Sequence, residues 1–203
     1  MIYLTPLPNS GLLLYTKTEH LFLFGFIGDD WMAPSWTYTE CYVKEMYEAI
    51  GIIHPEQLNF QTIAYRLSIS VFYWQEPSQA LFFNDKGYIM LDKNLSPQQQ
   101  WQDFTHELAH VLLHTGRQSR LPQTFIEYQE MKANHFMYHA AMPTFMLEQL
   151  EIDSFSDMTI HKLQILFNVE YDFAAKRLQQ YLNKRQSILN WNNVVHSSTC
   201  NKG

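Results

Sequence analysis

From Thr37 onward the apolar positions fall at helical spacing. Tyr42, Val43, Met46, Tyr47 and Ile50 mark one face, with Thr39 as the expected N-cap and Gly51 as the stop. His54-Pro55-Glu56 reads as a second helix start, whose buried stripe is Leu58, Ile63, Ala64 and Leu67. Three short runs rich in β-branched and aromatic residues follow, at 69–74, 79–83 and 87–91. Asn84-Asp85-Lys86-Gly87 is a turn signal, so the last two runs are expected to form a hairpin. Together these runs predict an α+β fold with a small, mainly antiparallel three-stranded sheet against two helices. Ser96-Pro97 then opens a third helix, and Trp101, Phe104, Leu108, Val111 and Leu112 supply its core face before Gly116 ends it. A fourth helix is expected between Pro122 and Ala141, closed by Met142-Pro143. Further helices are expected at 144–150, 159–167 and 171–182, followed by a flexible tail at 186–203 with few apolar anchors.

This pattern divides the chain into an N-terminal arm at 1–36, a core at 37–143, a helical C-terminal part at 144–185 and the tail. The arm reads as a short strand or a loosely attached arm covering part of the core, the alternative being that Met32 begins the functional protein and the residues before it are dispensable. Its longest apolar run, Leu21 to Gly28, is far too short to cross a bilayer. Lys17 is the sole basic residue before that run, which makes a poor secretory signal.

Composition narrows the function classes. The 203 residues are 46% hydrophobic, enough for a sizeable core, and carry a net charge of −6, which argues against a nucleic-acid surface. Only Cys41 and Cys200 occur, so neither a disulfide framework nor a thiolate metal site is expected, and a reducing, cytoplasmic setting fits.

The third helix changes the picture most. It carries His106, Glu107 and His110, an H-E-x-x-H pattern. Residues four apart stand one above the other on a helix, so two imidazoles at that spacing can grip one Zn²⁺. The intervening glutamate can then take a proton from a metal-activated water and deliver it to a leaving amine, which points to peptide-bond hydrolysis. A chance match arises in roughly 2% of chains of this length and content, so the pattern needs support.

A catalytic site also needs a third ligand. The metzincin pattern would put its glycine and last histidine at Leu113 and Gly116, which excludes that class. His114 lies a further turn along, and three consecutive turns spread over about 11 Å, too far for one ion, so a supporting role is expected for it. An acidic residue on the next helix remains. Glu127 and Glu130 are three apart on nearly one face, and spacing does not separate them.

The runs Asn94-Leu95-Ser96-Pro97, His106 to His114, and Glu130-Met131-Lys132-Ala133-Asn134-His135-Phe136 with Ala140-Ala141-Met142-Pro143 resemble the ImmA/IrrE family of metallopeptidases. The second motif of that family has the form E-x-x-A-N-x-F-A and ends in L-M-P. Met137 and Tyr138-His139 depart from it without touching a ligand position. The resemblance runs from about Thr39 to Asn183. It implies a zincin-like core, Glu130 as third ligand beside His106 and His110, Glu107 as general base, and Zn²⁺ as cofactor with Mn²⁺ as the alternative. Asn134, one turn beyond Glu130, is expected to brace that carboxylate or the helix contact.

Members of the family are often encoded by phages or mobile elements, and several cut a helix-turn-helix repressor. The resemblance therefore implies a protein substrate, a DNA-binding transcriptional repressor, and an anti-repressor role. The alternative is a regulator that keeps the metal but acts by binding its partner. No direct nucleic-acid or membrane contact is expected. Leu163 to Tyr181 superficially looks like a helix-turn-helix with its turn at Asn168-Val169, but few basic residues surround it, and it reads as a packing or docking subdomain.

Overall fold

The computed structural model describes residues 3–7, 11–15, 36–84, 86–113, 122–152 and 154–199. The chain separates into two compact units, residues 1–35 and 36–203. In the first, β1 (Tyr3–Leu7) and β2 (Gly11–Tyr15) form an antiparallel pair in which Tyr3 faces Tyr15 and Leu7 faces Gly11. The run Leu21 to Gly28 and Met32 lie outside the described residues.

The second unit opens with α1 (Tyr38–Ala49). Its cap is Thr37, two residues before the expected Thr39. Glu40 stands three residues after Thr37, and the two exchange side-chain-to-backbone hydrogen bonds in a capping box that Thr39 could not form. The expected helix start at His54-Pro55 also resolves differently. The Gln57 side chain folds back onto the N–H groups of Ile53 and His54, which limits Pro55–Gln57 to one 3-10 turn. Asn59 then caps a separate helix, α2 (Phe60–Arg66), whose Ile63 and Ala64 are buried.

β3 (Ser70–Trp74), β4 (Gln79–Phe83) and β5 (Lys86–Asp92) make one sheet in the order β3-β5-β4. β4 and β5 are the expected hairpin, with Asn84 at φ 48 in its turn. The other pairing, β3 with β5, is parallel, so the sheet is mixed where a mainly antiparallel one was expected. The cause is topological. The hairpin swings β4 to the edge and leaves β5 in the centre, running in the direction of β3. Ile89 and Leu91 of β5 are fully buried on the inner face.

That face lies on α3 (Pro97–Leu113), which Ser96 caps through reciprocal bonds with Gln99. The approach is close at Gly87, where a Cβ would fall 2.4 Å from Val111 Cγ1. Trp101, Phe104 and Leu108 of α3 are buried, while Val111 and Leu112 pack at the margin of the core. The expected stop at Gly116 lies outside the described residues.

α4 (Gln123–Ala141) packs along α3, and α5 (Thr144–Leu147) continues after Pro143. α6 (Asp157–Phe167), capped by Ser156, meets α7 (Tyr171–Thr199) through Asn168 at φ 51. α7 runs past its expected end at Leu182, and its helix includes residues 186–199. Contacts to the core carry it on: Lys184 pairs with buried Glu40, and Arg185 donates to the Ile152 carbonyl. Arg177, 1% exposed, donates to the Met142 carbonyl and to the Thr144 hydroxyl, whereas Lys162, Lys176 and Arg185 are exposed. No helix among the described residues is long and apolar enough to cross a membrane.

Candidate metal centre

Helical periodicity builds half of the site. His106 and His110 sit one turn apart on α3, and their Nε2 atoms are 3.2 Å from each other. Glu130 arrives from α4, whose Ala133 and Phe136 are buried in the core. Glu130 Oε2 is 3.2 Å from His106 Nε2, and its Oε1 is 3.4 Å from His110 Nε2. One donor atom from each of the three residues lies within 4.8 Å of the others.

The donor set fits a divalent ion. Two nitrogens about 2.0–2.1 Å from a tetrahedral ion stand about 3.3 Å apart, close to the separation seen here, and two imidazoles with a carboxylate are a common zinc set. Among the described residues this is the one such grouping. His135 and His139 on α4 repeat the four-residue spacing, but the charges of Arg177 and Lys184 bear on His139. Burial, then the charge of Arg177, pushes the His139 imidazole down to about 3, an environment hostile to a second cation.

Glu107 points to the sheet. It is 8% exposed, and its Oε2 accepts a hydrogen bond of 2.7 Å from the Ala80 N–H on β4. Ala80 is on the edge strand, so this N–H belongs to the side of β4 that no other strand occupies. Burial pushes the Glu107 carboxyl up to about 8, the Ala80 bond opposes the shift, and the charges of Asp103 and Glu130 add to it. A carboxyl raised in this way holds a proton more readily than a surface glutamate does.

The other sequence candidates fall elsewhere. Glu127 is exposed and takes a hydrogen bond from the Gln123 amide, apart from the three converging donors. Asn134 is exposed, and no hydrogen bond among the described residues ties it to Glu130. His114 lies outside the described residues. Two participants were not read from the sequence. The Ala80 N–H is a main-chain group that no residue type signals. Asp103 could have been found, because it stands four residues before Glu107 on the same helical face.

Residues 64–179 match the sequence profile of the Peptidase_M78 family, described as the IrrE N-terminal-like domain. Two Bacillus subtilis (strain 168) proteins are similar over most of the chain. Phage-like element PBSX protein XkdA is 36% identical over 152 residues, which are 75% of this chain and 77% of that protein. The uncharacterized protein YqaB is 34% identical over 148 residues, 73% of this chain and 86% of that one. Among solved structures, a Mycobacterium tuberculosis transcriptional regulator aligns with a TM-score of 0.46 at 13% identity, over 69% of this chain and 46% of that one.

Proposed function

The chain belongs to the IrrE N-terminal-like domain family and so carries a metallopeptidase-type domain; from that premise we propose that it is a zinc-dependent endopeptidase acting on a regulatory protein. The observation that carries the reading is the meeting of His106, His110 and Glu130 donors within 4.8 Å, one residue along α3 from the buried Glu107. His106, His110 and Glu130 would hold the ion. When bound, the ion supplies positive charge that polarises the scissile carbonyl, acidifies a water and lowers the proton affinity of Glu107.

The chain's own groups handle the proton. With Oε2 held by the Ala80 N–H, Glu107 would keep Oε1 for the attacking water. It takes one proton as the water oxygen bonds to the carbonyl carbon. It then returns that proton to the amide nitrogen as the C–N bond breaks, leaving a carboxyl end and an amine end. The buried setting keeps bulk water from competing for that proton.

The substrate in this reading is a helix-turn-helix repressor, and the role is anti-repression in a phage-like or mobile element. The motif resemblance supports it, as does the similarity to a protein named for the PBSX phage-like element. Incubating the zinc-loaded chain with the repressor encoded nearest its gene tests the proposal. Two fragments are expected from wild type and none from Glu107→Gln. A repressor left intact by both proteins, yet bound by both, would replace the peptidase with a binding regulator.

A further inference from the structure

The functional stripe of α3 continues one turn before His106. Asp103 lies four residues before Glu107 and seven before His110, so it shares their face. It is half-buried, and its carboxylate makes no hydrogen bond or ion pair among the described residues. Its nearest influence is repulsive, because its charge adds to that of Glu130 in raising Glu107. A partly exposed carboxylate without a protein partner is free to take a cationic group from a bound chain.

Two contacts fix where Asp103 lies along the edge strand. Ala80 of β4 bonds to Glu107, and Phe82, two residues on, is paired with Gly87, which abuts Val111. β4 therefore advances beside α3 in the same direction, from the Asp103 end to the Val111 end. Between the open side of β4 and α3, Glu107 takes the middle. One end carries the unpaired Asp103, and the other carries Phe82, 41% exposed, with the aliphatic Val111.

We propose that Asp103 is a specificity-determining residue that receives a lysine or arginine side chain of the substrate on one side of the scissile bond. The inference rests on the peptidase reading and deepens it. The substrate segment carries a basic residue at the subsite beside Asp103, and the Phe82 end makes no such demand. A guanidinium or ammonium there would complete the carboxylate in a partly desolvated setting, where charge-assisted bonds are strong.

The test uses the full chain loaded with zinc and a decapeptide library randomised on both sides of a fixed centre, with cleavage sites read by mass spectrometry. Wild type is expected to enrich Lys and Arg at a single subsite by about tenfold, the effect of roughly 1.4 kcal/mol. Asp103→Asn should lose that enrichment among the peptides it cuts, and Asp103→Lys should shift the same subsite toward Asp and Glu. Retained metal and an unchanged circular dichroism spectrum show that each variant is folded. Cleavage by wild type without a basic preference overturns this inference alone, as does Asp103→Asn keeping the preference. Metal-loaded Asp103→Asn that cuts nothing also overturns it, because Asp103 would then serve the reaction and not selection. If wild type cuts neither the library nor the repressor, the peptidase reading falls and this inference with it; a repressor cut while no library peptide is cut overturns this inference alone.

Discussion

At the scale of single residues, Glu107 shows how burial becomes chemistry. A surface glutamate would be too weak a base to be useful near neutral pH, and here desolvation raises it to about 8 while one backbone N–H steers it. Glu107→Gln keeps the shape and removes the base of the proposed reaction. It should lower cleavage by about 10²- to 10⁴-fold, measured in initial rates, and leave metal content unchanged. Glu130→Ala should lose metal on dialysis against a mild chelator, whereas Glu127→Ala should retain it, as elemental analysis of the two proteins would reveal. The reverse result would put the third donor at Glu127.

At the scale of elements, the site depends on how closely the sheet lies on α3. Gly87 allows that approach, and Val111, stiff at χ1, stands directly beneath it. Gly87→Ala should destabilise by about 1–3 kcal/mol through overpacking, seen as a lowered melting temperature, and Val111→Ala in the same chain should recover part of the loss. These elements also mark what was legible in the sequence. The pairing of His106 with His110 was, because helical period alone sets it. Spacing did not separate Glu127 from Glu130, because both lie on nearly one face; the motif resemblance favoured Glu130, and the packing of α4 on α3 is what brings that carboxylate to the two histidines. Runs of β-branched and aromatic residues revealed the strands, and the turn signal from Asn84 to Gly87 revealed the hairpin. The parallel pairing of β3 with β5 stayed hidden, since the composition of a run is the same in either direction. The ties of Lys184 to Glu40 and of Arg185 to Ile152, just beyond Leu182 in α7, were also hidden, because their partners lie far away in the chain.

At the scale of the whole molecule, Glu40 ties the first helix of the second unit to the last. It is 3% exposed and bonds to Thr37, Thr144 and Lys184. Burial pushes its carboxyl up, but Lys184, Thr37 and Thr144 outweigh burial and bring it from 4.5 to about 2. A depressed acid stabilises the fold at pH above its unfolded value and loses that contribution as pH falls through its folded one. Glu40 should therefore stabilise the fold above pH 4.5 and lose that contribution progressively toward pH 2, and Glu40→Gln should flatten acid unfolding curves in that window. The same tie holds α7 against the end of the core that follows α4, away from the metal donors. Its loss should lower stability with little effect on metal affinity, so the two properties can be measured apart.

The central claim is that one ion is held between α3 and α4 by three side chains that the fold brings within 4.8 Å. Metal analysis of the purified chain after exhaustive dialysis tests it most directly. The account predicts close to one zinc or manganese per chain in wild type and in Glu107→Gln, and well below that in Glu130→Ala. A wild-type chain that holds no metal when offered zinc, or one that retains it equally well without Glu130, would contradict the account.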